Sequence, residues 1–369
     1  MKISSSIQPP ELADIADKVR AGERLGRADC VWLFDGADVL ALGRLADLVR
    51  KQRHGDAAYY TVNCHIDYSN VCVLRSACAF CAFARSKEEA GAFCLSPREV
   101  VRKAEALFSD RVTEFHIVGG LHPGLKMDYF EEMISGLRAR FPTVHLKMLS
   151  AVEVEHVARI SGVSVQQCLA RLKACGLGSL AGGGAEIFAD RVRCQIARGK
   201  ISGEGWIDVM RTAHRLGIQS NATMLYGHIE DAEDRADHLL RLRDLQDETG
   251  GFLAFVPLPF QPMNNELGKR VPHFTTGLDD LRTVAASRLI LDNFPHIKAY
   301  WVMLGVKLAQ VALTFGADDI DGTVMEERVS HDAGSATPQA LAESELVALI
   351  RGAGLTPVRR DSLYHPLPD

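Results

Sequence analysis

Three of the nine cysteines of this chain lie within ten residues, in the stretch NVCVLRSACAFCAF that runs from Asn70 to Phe83. Five residues separate Cys72 from Cys78, and two separate Cys78 from Cys81. Closely spaced cysteines in a chain without a disulfide framework are typical of metal binding or redox chemistry. The stretch therefore predicts a metal centre held by Cys72, Cys78 and Cys81.

Three cysteine ligands suit some metal centres better than others. A structural zinc site needs four ligands, usually as two pairs, and His65 is the nearby candidate for a fourth. A four-iron, four-sulfur cluster held by three cysteines leaves one iron free to bind a group that is not protein. Three buried cysteines near a turn, or a ligand set that includes Cys64, are further alternatives. We favour the iron–sulfur cluster.

Other polar and glycine-rich segments follow predicted strands, as the cysteine stretch does. They are GGLHP (119–123), SAVEVEH (150–156), GGGAEI (182–187) and NATMLYGHIE (221–230). In a barrel of parallel strands, catalytic groups lie where strands end and helices begin. We therefore expect these segments to gather with the cysteines at one end of a barrel.

The elements that must position these segments alternate along the chain. Short apolar, β-branched runs predict strands at 59–66, 113–118, 144–149, 178–182, 218–225, 252–258, 297–303 and 318–322. Amphipathic segments such as 96–108, 127–141 and 231–248 lie between them and predict helices. The alternation indicates an α/β protein with a (βα)₈ TIM-type barrel over residues 56–330. We expect a helical extension over residues 1–55 and a C-terminal helix and tail over 331–369.

Charge and hydropathy exclude several classes of partner. The 42 basic and 47 acidic residues give a net charge of −5, and no run of Lys and Arg is long enough to follow a phosphate backbone. No segment approaches the roughly 18 consecutive apolar residues of a membrane span. The first residues lack the apolar core of a signal peptide. These features predict a cytoplasmic protein that binds neither nucleic acid nor a membrane.

An aromatic residue, Phe80, precedes the last cysteine, and the glycine pair Gly119 and Gly120 follows the second strand. With these features the chain resembles the radical S-adenosylmethionine superfamily. The resemblance implies a four-iron, four-sulfur cluster on the three cysteines, whose free iron binds S-adenosylmethionine and whose electron cleaves it to a 5′-deoxyadenosyl radical. It also implies contacts to this cofactor from Phe80, Gly119, Gly120, Ser150 and Glu186.

Three longer motifs are similar to a narrower group of that superfamily. They are GLGSLAGGGAEIF (176–188), SNATMLYGHIE (220–230) and LQDETGGFLAFVPLPFQPMN (245–264). The group contains aminofutalosine synthases, dehypoxanthine futalosine cyclases and deazaflavin precursor synthases. The second motif, with 296–334, resembles the aminofutalosine synthases most, and the other two activities stay as alternatives.

The resemblance to aminofutalosine synthases implies a transferase of menaquinone biosynthesis that consumes S-adenosylmethionine as a substrate. The radical would add to the enol-ether carbon of 3-[(1-carboxyvinyl)oxy]benzoate. Aryl migration and loss of the carboxylate would then give 6-amino-6-deoxyfutalosine. An electron donor such as flavodoxin or ferredoxin is implied as a partner.

A substrate with two carboxylates needs cationic or hydrogen-bond-donating groups inside the barrel. Candidates near predicted strand ends are His65, Asn221, His228, Arg288, Lys298, Trp301 and His331. Some of these have simpler roles: Arg288 could form a surface ion pair and His228 could cap a helix. Lys298 and Trp301 lie in the same predicted strand, and their spacing of three residues places their side chains on opposite faces. One of the two side chains should therefore point into the barrel.

The chain departs from the family pattern at three places. The family has three residues between its first two cysteines, whereas five residues lie between Cys72 and Cys78. Lengthening a short loop by two residues changes the closure entropy by well under about 1 kcal/mol. We therefore expect a bulge carrying Arg75 and Ser76 beside the cluster. Arg198 replaces a usual proline, and Ala84 replaces a usual aromatic residue.

Overall fold

The computed structural model describes residues 10–368, in which parallel strands alternate with helices. The strands are β1 (Ala57–Thr61), β2 (Asn63–Asp67), β3 (Glu114–Val118), β4 (His145–Met148), β5 (Ser179–Leu180), β6 (Gln219–Tyr226), β7 (Phe252–Pro259), β8 (His296–Ile297), β9 (Asp319–Gly322) and β10 (Thr356–Arg359). β7, with the sequence FLAFVPLP, is buried at all but one position. Such continuous apolar runs are typical of parallel strands covered on both faces.

β2 to β8 form one parallel sheet in chain order. The sheet curls into a half-barrel, and the segment that begins with β9 contacts both of its edges: Asp319 of β9 bridges Lys298, just after β8, and Met325, three residues after β9, bridges Cys64 of β2. Parallel neighbours require a crossover connection, which explains the helices between strands. The predicted α/β class with a barrel-type architecture is confirmed.

The helices cover the outside of the sheet. They are α1 (Pro10–Ala21), α2 (Arg27–Asp35), α3 (Val39–His54), α4 (Pro97–Leu107), α5 (Met127–Arg140), α6 (Ala151–Ser161), α7 (Val165–Cys175), α8 (Asp190–Ile196), α9 (Gly203–Arg215), α10 (Ala232–Thr249), α11 (Gly277–Ile290), α12 (Trp301–Leu304), α13 (Val306–Ala312), α14 (Val329–Asp332) and α15 (Glu343–Gly352). Within residues 10–368, none of these helices is long and apolar enough to cross a membrane.

Two predicted strands differ from the observed elements. The run 59–66 is divided at Val62, because β1 pairs with β9 and β10 in a second parallel sheet while β2 pairs with β3. The run 297–303 gives only the short β8, and α12 begins at Trp301. The Tyr300 carbonyl accepts from the backbone N–H of Leu304 at 3.1 Å, so the chain turns into a helix there.

α2 and α3, together with α15 and β10, pack on the outside of the barrel. α3 lies against α11 and α2 against α10, with Arg24 bonded to Asp292 at 2.8 Å. α15 contacts β9, and β10 pairs with β1. Residues 1–9 of the predicted N-terminal extension lie outside the described residues. The boundaries proposed for the barrel, at 56 and 330, stay a prediction.

Candidate active site

A cavity of about 350 Å³ opens among the carboxyl ends of the strands. Both polar and apolar side chains line it. The polar ones include His65, Asp67, Glu114, His116, Lys147, Ser150, Glu153, Glu186, Lys200, Asn221, Thr223, Gln261, Lys298, Tyr300, Asp321, Glu327 and Ser330. Cys72, Cys78 and Cys81 line the same cavity, with Phe80, Gly119 and Gly120. The structure thus brings together all eight residues predicted for the cluster and cofactor, and three predicted for the substrate.

The two extra residues of the cysteine loop are accommodated in a hydrogen-bonded turn. The backbone N–H of Arg75 donates to the Cys72 carbonyl at 3.1 Å, and that of Cys78 donates to the Leu74 carbonyl at 3.0 Å. The Sγ atom of Cys72 accepts from the Leu74 N–H at 3.4 Å. Arg75 forms an ion pair with Glu89 at 3.2 Å and is not a cavity-lining residue. The five-residue spacing is therefore accommodated as a turn.

The three thiols suit a cluster better than a single zinc ion. Zn–S bonds of about 2.3 Å place two sulfur ligands of one zinc ion under about 4 Å apart. Within residues 10–368, the sulfur atoms of Cys72, Cys78 and Cys81 do not form a group in which all lie within 4.8 Å. His65, the fourth ligand of the zinc alternative, instead stacks on His116 at a ring-centroid distance of 4.4 Å.

The alternative that includes Cys64 does not agree with the structure. Cys64 lies fully buried within β2, and its thiol donates to the Leu107 carbonyl at 3.5 Å. Burial raises the pKa of Cys64 to about 12, which opposes metal binding as a thiolate. Burial also raises the pKa of Cys78 to about 11, so metal binding there must release a proton. Cys64 does not line the cavity, whereas Cys78 does.

Gly119 and Gly120 let two chain segments pass closely at the end of β3. A Cβ atom on Gly120 would lie 2.4 Å from the Val71 carbonyl oxygen, and one on Gly119 would lie 2.8 Å from that of Ser69. The Gly120 N–H also donates to the Ser69 carbonyl at 2.7 Å. Packing of the cysteine loop alone thus requires glycine at both positions. Their backbone groups nevertheless border the cavity.

Glu153 holds the end of β3 in place beside the cavity, and it is absent from the predicted site residues. Its Oε1 accepts from the Tyr68 hydroxyl at 2.9 Å and from the Gly119 N–H at 3.0 Å. Its Oε2 accepts from the backbone N–H and the hydroxyl of Ser150, each at 2.7 Å. Ser150 is the N-cap of α6, and the Ser-x-x-Glu capping box was the sequence signal that could have identified Glu153.

Glu186, Lys200 and Phe80 form a second group beside the cysteines. The Lys200 ammonium bonds the Glu186 carboxylate and lies 5.0 Å from the centroid of the Phe80 ring. Burial lowers the pKa of Lys200, but the Glu186 carboxylate and the nearby Cys78 more than reverse this effect, so Lys200 stays protonated. Glu186 itself has a left-handed backbone with φ of 47° after the triple glycine. Lys200 is a site residue that sequence reasoning did not identify.

Charged pairs occupy the interior of the barrel. Lys147 bonds Glu114 at 2.5 Å, and Lys298 bonds Asp321 at 2.7 Å. Burial would raise the pKa of Glu114, but Lys147 and Lys298 hold it well below its usual range. Lys298 thus lines the cavity, as predicted, with its charge already compensated. Asn221 lines the cavity from β6.

Two predicted substrate residues hold the barrel together and do not line the cavity. Arg288 is fully buried, bonds Asp318, and donates from Nε to the Gly316 carbonyl at 2.8 Å. Trp301 is also fully buried, and its Nε1 donates to the Gly322 carbonyl at 2.8 Å. Arg288 therefore lies in a buried ion pair, not in the surface ion pair considered for it, and it does not line the cavity. Lys298 is the one of the pair Lys298 and Trp301 that faces inward.

The two remaining histidines also lie outside the cavity lining. His228 is buried in the loop after β6, where its Nδ1 lies 2.8 Å from Glu230. His331 lies 3.0 Å from Glu327 through its Nδ1, and this hydrogen bond raises the pKa of His331 to about 9. His331 thus acts on the cavity only through Glu327, which does line it.

Family models match most of the chain in two blocks. Residues 66–242 match the model of the radical SAM superfamily, and residues 249–369 match the CofH/MqnC C-terminal region. The first block contains the cysteine loop, the glycine pair and Glu186, and the second contains Lys298, Asp321 and Glu327.

Curated relatives align over nearly the whole chain. The aminodeoxyfutalosine synthase of Thermus thermophilus is 48% identical over 97% of this chain and 96% of its own. That of Streptomyces coelicolor is 44% identical over 96% and 93%. A 5-amino-6-(D-ribitylamino)uracil–L-tyrosine 4-hydroxyphenyl transferase of Methanosarcina barkeri is 40% identical over 95% and 91%.

Solved structures share the fold at low sequence identity. Methylornithine synthase superposes with a TM-score of 0.74 at 18% identity, covering 94% of this chain and 97% of that one. The FeFe-hydrogenase maturase of Carboxydothermus hydrogenoformans superposes with a TM-score of 0.76 at 18% identity, covering 96% and 80%.

Proposed function

This chain belongs to the radical S-adenosylmethionine superfamily, and we propose that within it the protein is an aminodeoxyfutalosine synthase. The observation that carries the proposal is the 48% identity to the Thermus thermophilus enzyme over 97% of the chain. The reaction would join the 5′-deoxyadenosyl group to 3-[(1-carboxyvinyl)oxy]benzoate and release the vinyl carboxylate, in a cytoplasmic pathway to menaquinone.

Cys72, Cys78 and Cys81 would hold the four-iron, four-sulfur cluster, and they line the cavity as its only cysteines. When bound, the cluster and S-adenosylmethionine supply the 5′-deoxyadenosyl radical after one-electron reduction by an external donor. Gly119, Gly120 and Glu186 would contact S-adenosylmethionine. These roles are assigned by position and by the family pattern.

The chain's own residues provide enclosure and orientation. Apolar side chains, among them Phe80, Leu225, Leu258, Phe260 and Met303, form much of the cavity wall. Such a wall keeps water and stray hydrogen donors from a carbon radical. Addition to an alkene also requires the reacting carbons in near-attack geometry, at about 3 to 3.5 Å. Asn221 and the strand-borne polar groups would orient the substrate for this approach.

The decisive experiment is an anaerobic assay of the reconstituted protein. Reduced protein with S-adenosylmethionine and 3-[(1-carboxyvinyl)oxy]benzoate should give 6-amino-6-deoxyfutalosine by mass spectrometry. C78A should lose iron, sulfide and product, whereas the matched control C64A should keep all three, because Cys64 does not line the cavity. Reconstituted wild-type protein with a full iron content and no product would reject the proposal. About one zinc per chain without iron would reject the superfamily chemistry.

A second candidate activity rests on the archaeal relatives. The Methanosarcina barkeri transferase named for tyrosine and 5-amino-6-(D-ribitylamino)uracil is 40% identical over 95% of the chain. The same anaerobic assay, with those two compounds in place of the enol ether, tests this activity. Product from that pair and none from the enol ether would replace the first proposal with the second. Dehypoxanthine futalosine offered as substrate tests the cyclase alternative in the same way.

A further inference from the structure

Two buried polar atoms on β2 have no hydrogen-bond partner among residues 10–368, and their side chains line the cavity. They are Nε2 of His65 and Oδ2 of Asp67. Side chains two residues apart on a strand point to the same face of the sheet, so these two groups are neighbours. Leaving a buried polar group without a hydrogen-bond partner is destabilising. Two such groups facing one cavity indicate a ligand subsite.

The chemistry of this subsite depends on the proposed function, because it uses the proposed substrate. 3-[(1-carboxyvinyl)oxy]benzoate carries two carboxylates and an ether oxygen and has no hydrogen-bond donor at neutral pH. Every protein group that hydrogen-bonds to it must therefore be the donor of that hydrogen bond. A carboxyl side chain can do this only in its protonated form.

The lysines that line the cavity are already paired. Lys147 bonds Glu114, Lys298 bonds Asp321, and Lys200 bonds Glu186. Each of these lysine charges is balanced by a carboxylate within bonding distance. Neutral donors must therefore supply much of the recognition of a dicarboxylate, which gives the two unpartnered groups of β2 a role.

We propose that Asp67 is held as the neutral carboxylic acid and donates a hydrogen bond to a carboxylate of the substrate. The N–H of His65 Nε2 is the second donor of the same subsite. No bond of the substrate is made or broken by either residue, so both are positioning groups that set the alkene against the radical carbon.

The surroundings of Asp67 favour its neutral form. Burial raises the pKa of Asp67 to about 7, and the Glu327 carboxylate adds to this shift. Glu327 is fixed by the Ser330 N–H at 2.8 Å and by His331 at 3.0 Å. The titratable and charged groups around the subsite are His65, His116, Tyr300, Glu114, Asp321, Glu327, Asp332, Lys147, Lys103 and Arg328. Lys103 and Arg328 lower the pKa of Asp67, but burial raises it by more. Burial lowers the pKa of His65 and of His116, so both rings are neutral near pH 7.

The test measures binding of the enol ether to cluster-loaded enzyme without S-adenosylmethionine, so that no turnover occurs. Equilibrium dialysis between pH 6 and 8.5 gives the dissociation constant. For wild type we expect the affinity to fall above about pH 7, approaching tenfold per pH unit, as Asp67 loses its proton. His331 should stay protonated through this range because Glu327 raises its pKa to about 9.

Two variants separate donation from mere packing. D67N still donates but cannot lose a proton, so its dissociation constant should change less than about threefold from pH 6 to 8.5. D67A should bind at least about tenfold more weakly than wild type at pH 6.5, the loss expected for a hydrogen bond to a charged group. The matched control is D280N: Asp280 is also buried, with a pKa raised to about 6, but bonds Tyr226 and does not line the cavity. D280N should leave the pH dependence of binding as in wild type.

Two outcomes would overturn the inference. The first is wild-type affinity that does not change with pH, with D67N as weak as D67A. The second is a raised KM for S-adenosylmethionine in D67N with unchanged binding of the enol ether, which would make Asp67 an ionised acceptor for the cofactor. Either result can be obtained with a wild type that forms the product. Failure of the proposed function would instead appear as a wild type that forms none.

Discussion

At the scale of single residues, Glu153 determines how the end of β3 meets the start of α6. Both of its oxygens accept, from Tyr68, from Gly119 and from Ser150, and the residue is only 3% exposed. Each partner is a donor. A side chain that presents an N–H in place of one oxygen would therefore leave two donors facing each other.

We predict that E153Q lowers the free energy of unfolding by about 1 to 3 kcal/mol, because a buried donor loses its acceptor. The measurement is the urea midpoint of the apoprotein. The matched control is E99Q, in the same Ser-x-x-Glu capping box at the start of α4, where the hydrogen bonds are exposed. E99Q should cost less than about 1 kcal/mol. Equal losses in the two variants would show that Glu153 acts only as a helix cap.

The residues that the sequence predicted best are those that a local pattern marks. Cys72, Cys78, Cys81 and the glycine pair belong to short motifs, and all line the cavity. Residues that only folding brings together have no local sequence pattern. Asp67 and Glu327, for example, are 260 positions apart in the chain. Arg288 was a substrate candidate because it was taken to lie near a predicted strand end, and its partner Asp318 could not be read from the sequence.

At the scale of elements, buried ion pairs join helices to the start of the late strands. Arg288 of α11 bonds Asp318, directly before β9, and Asp318 also accepts from the Ile297 N–H of β8 at 2.9 Å. Both charged side chains are fully buried. The pair thus connects α11 with β8 and with the start of β9.

We expect R288M to destabilise the protein by about 3 to 5 kcal/mol, because it leaves the Asp318 carboxylate buried without its cation. Chemical denaturation measures the loss. The control R171M removes a bidentate pair with Glu131 between α7 and α5, whose arginine side chain is 46% exposed, and should cost under about 1 kcal/mol. R288M protein that remains folded should keep the wild-type KM for the enol ether. A raised KM with unchanged stability would restore Arg288 as a substrate residue.

Helices and long strands were predicted well because their periodicity lies within one segment. The predicted helix 127–141 is observed as Met127–Arg140, and the predicted strand 252–258 as Phe252–Pro259. The short strand β8 was not, since it has only two residues and the run 297–303 continues into α12. The predicted strand 178–182 is observed only as the two residues of β5. Pairing with different neighbours explains why the run 59–66 is divided between two sheets.

At the scale of the whole molecule, buried neutral histidines make folding sensitive to acid. His238 is fully buried, its Nε2 lies 2.9 Å from the Thr223 carbonyl, and burial lowers its pKa to about 3. Burial likewise lowers the pKa of His145 and of His214 to about 4. Because the unfolded chain binds these protons near pH 6.5 and the folded chain does not, stability falls as the pH drops below 6.5.

We predict that H238Q flattens this acid dependence. Between pH 6.5 and about 4, wild-type stability should fall more steeply than that of H238Q, by about 1.4 kcal/mol per pH unit. Denaturation at a series of pH values measures the two slopes. H273Q, at an exposed position, should keep the wild-type slope. Parallel slopes for wild type and H238Q would show that His238 is protonated in the folded protein.

The barrel class followed from the alternation of strands and helices, and its closure did not. The segment that begins with β9 bridges Lys298, just after β8, through Asp319, and it bridges Cys64 of β2 through Met325, 21 and 261 positions further along the chain. Single bridges of this kind produce no periodic pattern in the sequence, because each bridge needs only one residue in register. The polar interior, by contrast, was expected from the chemistry of a dicarboxylate substrate.

The position of β1 has a consequence for how the protein is made. Both of its neighbours, β9 and β10, begin more than 250 residues later in the chain. At a synthesis rate of roughly 5 to 20 residues per second, β1 waits about 13 s or longer for its first partner. During that interval the strand AAYYT has an unpaired backbone on both sides, and the cysteine loop that follows it is attached to an unfinished barrel. We therefore expect the iron–sulfur centre to be assembled in the cell only after this second sheet is complete. We also expect chaperones to bind the nascent chain around residues 57–61, where the unpaired strand is exposed longest.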